Sequence, residues 1–389
     1  MSEPIVIVGG GLAAGTAVTE LRDLGYDGDL VVVADEPHPP YERPPLSKEL
    51  LQGRKDAAAT YVHPSDWYDE HKVDLRTGVR VSAIDPDARS VQLDGAEQLR
   101  YSTLLLATGA RARRLPLEPT NDVAVRYLRT LDDAVALRGL LGDGHRLLVV
   151  GGGWIGMEVA ASARQLGSSV TLVEPEEQPL LAALGPDIGA RFATEHRAHG
   201  VDLRTGVGFE RLDGGEAVLA DGSRVAVDTV LVGVGAVPND ELAREAGLAV
   251  DGGILVDAGL RTDHDGIFAA GDVANVDHPV LGERVRVEHW QNAIDQGKVA
   301  ARALLGEEVE FTALPYFFTD QYDLGMEYFG HVGRDGFDRL EVEDGDRNSY
   351  ACFWWRGRHL VAAMHVNEWD RSDELRARVR EAARPRVNH

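Results

Sequence analysis

Two glycine-rich turns are the first places in the chain where residue type and spacing could do chemistry. One reads Gly9-x-Gly11-x-x-Ala14 and the other Gly151-x-Gly153-x-x-Gly156. In this spacing the first glycine permits a tight turn, and the second lets a pyrophosphate approach the backbone. The third small residue allows close helix–strand packing. A helix that starts at such a turn offers free N–H groups and a positive dipole end to phosphates. The strand after each turn ends in an acid: Asp35, with Glu36 as the alternative, and Glu174. A carboxylate there accepts hydrogen bonds from ribose hydroxyls and repels a 2′-phosphate. Glu174 is followed by Pro175, Glu176 and Glu177, with no Arg to hold that phosphate, so the second turn is expected to take NADH rather than NADPH.

The elements that would hold these turns are readable around them. The run IVIV before Gly9 is continuous and apolar, as suits a strand covered on both faces. AAGTAVTELRDLG has helical composition and a stop at Gly25, and LVVVAD is a second strand. Residues 146–174 repeat the plan, with RLLVV, a helix ending at Gly167, and SVTLVE. Each copy is echoed later by a strand, a glycine turn and a proline, TLLLATGARARRLP and TVLVGVGAVP. GIFAAGDVA is a further buried strand, and a helix is predicted over 292–305. The Pro119–Asn121 region and the neighbourhood of Pro238 are the expected crossover linkers. The last 70 or so residues, with PYFFTDQYD and ACFWW, predict a separate α+β unit. The fold class expected is α/β, with two Rossmann-like dinucleotide-binding domains and a C-terminal α+β domain.

Composition narrows the function. A formal charge of −24 argues against nucleic acid or an anionic membrane as partner. No apolar run reaches the roughly 18 residues a membrane span needs, and no signal peptide is recognisable; a cytoplasmic protein is expected. Cys352 is the only cysteine, which excludes a catalytic dithiol within one chain. The 13 His residues show no metal-ligand spacing, so no metal site is expected. Glu158, in the first turn of the second helix, is either a surface acid favoured by the helix dipole or a group beside a nicotinamide. Two nucleotide folds in one chain can set two redox rings against each other. Hydride transfer needs the reacting atoms about 3–3.5 Å apart. FAD under the first turn and NADH under the second is the expected pairing.

At YERPPLSKELL (41–51), taken with both fingerprints, ATGA (107–110) and FAAGDVA (268–274), the chain resembles the ferredoxin-reductase branch of the glutathione-reductase-like flavoproteins. That branch includes reductase components of bacterial oxygenases, rubredoxin reductases and apoptosis-inducing-factor-like proteins. The resemblance implies a discontinuous FAD domain, residues 1–115 and 239–314, around an NAD domain, 116–238, with a C-terminal domain at 315–389. It implies that Arg43 and Pro44 lie against FAD and that Lys48 sits by the reactive flavin nitrogen, paired with Glu158. It also implies that Asp272, Gly109 and Arg111 approach the FAD ribitol and phosphates, Trp290 the flavin, and Gly235 the nicotinamide end. One departure stands out: the branch often has Trp where this chain has Tyr316, Phe317 and Phe318.

Disulfide reductases of the superfamily carry a redox Cys pair near the flavin, and relatives that reduce peroxide use one Cys in the first domain. Residues 36–55 hold no Cys. Electrons are therefore expected to leave through the flavin to a one-electron carrier, an iron–sulfur ferredoxin serving an oxygenase. The chain is expected to act as a monomer or homodimer. Because such carriers are usually acidic, docking would need local cations, with Arg43, Arg54, Lys55 and the RARR run at 111–114 as candidates. Two alternatives stay open: an apoptosis-inducing-factor-like NADH oxidoreductase acting on quinone or oxygen, and a non-enzymatic NADH-sensing flavoprotein. The reading of Glu174 is checked by steady-state kinetics with each nucleotide: a higher kcat/KM is expected with NADH, and equal or better efficiency with NADPH contradicts it.

Overall fold

The computed structural model describes residues 3–117, 122–333, 335–346 and 348–383. The run IVIV becomes the strand Ile5–Val8, buried along its whole length, at the centre of a five-stranded parallel sheet. Its neighbours are Leu30–Ala34 on one side and Thr103–Leu106 on the other. Val73–Thr77 and Ile267–Ala269 close the two edges. A strand from residue 267 therefore completes a sheet begun at residue 5, and the chain between them makes a second unit.

That unit repeats the first. Arg146–Val150 is central, flanked by Ser169–Glu174 and Thr229–Val232, with Asp202–Thr205 and Ala124–Arg126 at the edges, all parallel. Parallel strands buried on both faces need continuous apolar sequence, which is why period-two alternation is missing from these segments. Each unit also carries a small three-stranded antiparallel sheet, Val81–Asp85 through Gln98–Arg100 in one and Phe209–Asp213 through Arg224–Ala226 in the other. The two echo segments meet: Ala110–Ala112 pairs antiparallel with Ala236–Pro238, tying the units together. Pro238 thus ends a paired strand at the place where the chain passes between the two units. The Pro119–Asn121 linker lies outside the described residues.

The C-terminal unit is a five-stranded antiparallel sheet in the order Tyr316–Gln321, Leu324–Gly330, His359–Val366, Tyr350–Arg356 and Arg339–Asp344, with the helix Ser372–Ala383 packed on it. Its first strand packs against two helices, Trp154–Gln165 of the second fingerprint and Trp290–Leu304. The latter begins two residues earlier than the sequence suggested, with His289 as its cap residue. Among the described residues no helix is long and apolar enough to cross a membrane.

The first fingerprint is held in place by the helix Leu12–Asp23, which packs along Trp290–Leu304. Gly297 makes that close approach possible. A Cβ there would lie 2.8 Å from the Ala13 carbonyl oxygen and 2.9 Å from Thr16 Cβ. Backbone cannot give way as a side-chain tip can, so Gly297→Val must push the helices apart. Overpacking of this kind costs about 1–3 kcal/mol, so a fall of roughly 2–10 °C in Tm is expected by calorimetry; an unchanged Tm contradicts this account of the helix pair.

Candidate functional site

The glycines of both turns serve distinct steric purposes. Gly9 has φ +119°, and a Cβ on it would sit 2.1 Å from the Ala107 carbonyl oxygen. Gly151 repeats this with φ +107° and a 2.4 Å clash with the Gly233 oxygen. Gly156 admits no side chain either, since a Cβ would meet the Gly151 oxygen at 2.0 Å, and Ala14 is wholly buried at the matching position. Gly11 and Gly153 differ: a Cβ on either meets no protein atom within 4 Å. These two cap the helices Leu12–Asp23 and Trp154–Gln165, so their open side is the approach to a helix N-terminus.

Beside the first turn lies a cavity of about 820 Å³, near the top of the ~300–1,000 Å³ range of ligand pockets. Gly9, Gly11, Asp35, Glu36, Arg43 and Pro44 line it, and Lys48, Gly109, Arg111, Glu158, Asp272 and Trp290 complete the same wall. The cavity does not reach Ala14, Gly151, Gly153, Gly156, Glu174 or Gly235. Only the start of the second fingerprint helix, through Trp154, Ile155 and Glu158, enters it.

At the junction of all three units, Lys48 Nζ lies 2.9 Å from Glu158 Oε2, and the side chains are only 8% and 4% exposed. Lys48 is brought there by the 3-10 turn Pro44–Ser47, in which Pro44 takes the first helical position. Proline fits because its fixed φ suits a helix start and no N–H is needed there. Ser47 also donates to Glu158 Oε2, and Thr319 donates to Oε1 at 2.6 Å. Lys48 further lies 5.6 Å from the Phe318 ring centre, within cation–π reach. It is therefore a buried, ion-paired cation rather than a surface lysine, and Glu158 is not a surface acid.

Elsewhere the structure redistributes roles. Arg43 bonds Glu36 at 3.0 Å, the Tyr41 hydroxyl at 3.0 Å and the Arg129 carbonyl. Its charge is spent inward, which corrects its use as a docking cation. Asp35 is mostly exposed, 3.5 Å from Arg80. Arg111 reaches Asn239 at 2.9 Å and Glu241 at 2.6 Å, and Arg114 stacks over Tyr127. Glu174 folds back on its own loop, accepting from the N–H groups of Gly152 at 2.6 Å and Glu176 at 2.9 Å. Gly235, at φ +98°, accepts from Arg113 N–H.

Several residues that face the cavity had no sequence signal strong enough to select them. Arg129 pairs with Asp272 at 2.6 Å, and its Nε has no protein partner. The one hint was the capping box that follows it, Thr130 and Asp133, which announces a helix start. His289 lines the cavity with Asp272 and Phe317, its ring centre 4.9 Å from that of Phe317. Burial pushes its imidazole down to about 4, so it is neutral at physiological pH, and its Nδ1 lacks a protein partner. A buried polar atom left unpaired by protein beside a cavity is open to a hydrogen bond from a bound molecule or an ordered water, because desolvation without a hydrogen bond is costly. Cys352 lies in the core of the C-terminal sheet, and burial pushes its thiol up to about 12, so it is chemically quiet. Among the described residues the nearest approach to a metal set is Glu195, His199 and Asp323. It is a surface group whose His199 Nδ1 already lies 3.0 Å from the Glu195 carbonyl oxygen.

A glycine cradle at a helix start, a cavity of dinucleotide size, and a second cradle whose helix reaches into that cavity define a two-dinucleotide redox protein. Residues 3–297 match the family model described as pyridine nucleotide-disulphide oxidoreductase, and the chain belongs to that family. It is 42% identical over 377 residues to the anthranilate 1,2-dioxygenase system ferredoxin–NAD(+) reductase component of Burkholderia cepacia, covering 94% of this chain and 91% of that one. It is 36% identical over 390 residues to putidaredoxin reductase of Pseudomonas putida, covering 96% and 92%. Its fold matches the crystal structure of the covalent putidaredoxin reductase–putidaredoxin complex with a TM-score of 0.91 and 35% identity, over 98% of this chain and 93% of that one. The disulphide in the family's description has no counterpart here, since the lone thiol is buried in the C-terminal sheet. Arg129→Ala tests the Arg129–Asp272 end of the cavity: it removes a cation and leaves the Asp272 carboxylate uncompensated in the cavity wall. A rise of about tenfold or more in the FAD dissociation constant is expected from ultrafiltration of the reconstituted protein; undiminished retention contradicts it.

Proposed function

We propose that this chain is the NADH-dependent flavoprotein reductase of an oxygenase system, taking electrons from NADH through FAD to a small iron–sulfur ferredoxin. The observation that carries the reading is the buried Lys48–Glu158 pair, set where the FAD-type cavity meets the second fingerprint helix. The activities for which the relatives are named support it, as does a lone cysteine too buried to relay electrons. On this reading residues 1–115 and 239–314 bind FAD, 116–238 bind NADH, and 315–389 cover the flavin. Gly9, Gly11 and Ala14 cradle the FAD pyrophosphate, with Asp35 or Glu36 at its ribose. Arg43, Pro44, Gly109, Arg111, Asp272 and Trp290 complete that site. Gly151, Gly153 and Gly156 cradle the NADH pyrophosphate, with Glu174 at its ribose and Gly235 at the nicotinamide end.

When bound, the nicotinamide supplies a hydride and the flavin takes an electron pair and gives electrons up singly. The protein's part is orientation, charge and exclusion of water. Lys48 places a positive charge at the cavity wall, and Glu158 fixes its position. The pair is desolvated, so its field acts over a short distance in a medium of low dielectric. Tyr316, Phe317 and Phe318 line the cavity with aromatic rings. The site is proposed to work in the cytoplasm, where NADH is regenerated.

With the overall charge at −24, approach of an acidic carrier depends on local cations. Arg54, Arg113 and Arg114 are exposed, the latter two close in sequence to cavity-lining Arg111, and Lys55 is half-buried. Screening over about 8 Å at physiological salt lets such a patch act despite distant acidity. The test is anaerobic: NADH should bleach the flavin of the yellow holoprotein, and oxidised ferredoxin should restore its colour while becoming reduced. Transfer to every candidate ferredoxin at the background rate contradicts the proposal, and fast turnover with quinone alone would move the chain to another activity.

A further inference from the structure

Glu158 is the end of a hydrogen-bond chain that starts 38 residues away in sequence, on another helix. His196, on the helix Pro186–Ala198, lies 2.8 Å through Nε2 from Gln321 Oε1. Gln321 Nε2 donates to Thr319 Oγ1 at 3.2 Å, and Thr319 Oγ1 donates to Glu158 Oε1 at 2.6 Å. All four side chains are buried, with exposures of 0%, 1%, 1% and 3% from His196 to Glu158. The chain crosses from the second dinucleotide unit to the C-terminal sheet and back. The proposed electron path does not use it, and buried polar groups are expensive unless their pairing does something.

The direction of every bond is forced by chemistry. Glu158, salt-bridged to Lys48, is an acceptor only. Thr319 has one hydroxyl proton, and the carboxylate takes it. Thr319 can then only accept from Gln321, so the amide N–H₂ must face Thr319 and the amide oxygen must face His196. That oxygen cannot donate, so His196 must carry its proton on Nε2. Burial holds this imidazole down to about 4, which keeps it in the neutral form the chain needs. Its Nδ1 has no protein partner, which leaves the Nε2–H as the ring's one anchored bond. Four groups on three elements are thus locked into a single polarity, every donor aimed at Glu158.

We infer that Thr319, Gln321 and His196 are positioning residues that fix the Glu158 carboxylate, and through it Lys48, against the flavin. The inference rests on the reading above only in giving Glu158 work at the flavin. The lever is the Thr319 hydroxyl. A carboxylate with Lys48 and Ser47 on one oxygen and nothing on the other is free to rotate about its terminal bond. With Thr319 on Oε1 it is held at both ends. Hydrogen bonds to charged groups are about twice as strong as neutral ones, so the last link matters most and the effect fades along the chain.

The test uses the FAD-loaded protein with two readouts. In anaerobic stopped-flow, Thr319→Val, an isosteric change, should slow flavin reduction by NADH about tenfold, while Thr319→Ser should stay within about twofold. In a Glu158→Gln background the same Thr319→Val change should cost less than about twofold, because the partner it acts through is gone. The second readout needs no electron acceptor and no NADH: the infrared carboxylate band of Glu158, assigned by its loss in Glu158→Gln. That band should be displaced by Thr319→Val, displaced less by His196→Leu, and unmoved by Thr319→Ser. A band unmoved by Thr319→Val and His196→Leu overturns the inference, and so does an equal rate loss in both backgrounds. A protein that NADH never reduces defeats the functional reading, while the infrared result still decides the chain.

Discussion

An ammonium and a carboxylate, 2.9 Å apart and nearly withdrawn from water, sit where the three units of this protein meet. Such a pair is rarely a device for stability. Its desolvation offsets most of its attraction, and apolar replacements are often as stable. Removing one partner alone, by contrast, strands a buried charge at a cost of about 3–5 kcal/mol. The surrounding structure is what this constraint requires. Lys48 arrives on a turn stiffened by Pro44, Glu158 on a helix whose start is opened by Gly153, and Thr319 on a strand from the C-terminal sheet. Each unit supplies one of the three, so the charge pair with its Thr319 anchor is complete only when all three are docked.

This dependence explains why a chain with two similar nucleotide folds needs a third unit at all. The parallel sheets bury their own cores and could hold their own turns. Neither alone can exclude water from the place where two rings would meet. Tyr316, Phe317 and Phe318 bring an aromatic edge to that cavity, and the same strand carries the Thr319 hydroxyl that bonds Glu158. The absence of a usable thiol belongs to the same logic. With Cys352 shut inside a sheet, electrons have no sulfur route out, and a partner must approach the cavity itself.

The sequence announced what is local. Glycine turns, fully apolar strands and their helices are set by backbone sterics and two-sided burial, and both express themselves within about 30 residues. The helix at 290–304 and the C-terminal α+β unit were visible for the same reason. Contacts between distant segments were not. Nothing in the local pattern around Arg129, His289, Thr319 or His196 says that these meet Asp272, the cavity, Glu158 or Gln321, since each placement depends on segments brought together only by the fold. Glu174 shows the reverse: its position was legible from spacing, but the bonds its carboxylate accepts from the N–H groups of Gly152 and Glu176 were not. Arg43 looked like a free cation because its partners, Glu36 and Tyr41, become neighbours only through the turn's shape.

The central claim is geometric, that Lys48 and Glu158 mark the meeting point of two rings. A crystal structure with FAD and NAD⁺ both bound measures it most directly. The account predicts the nicotinamide ring stacked on the flavin with reacting atoms about 3–3.5 Å apart and Lys48 Nζ at the flavin edge. A nicotinamide ring bound out of reach of the flavin, or a flavin whose reactive edge lies away from Lys48, would contradict it.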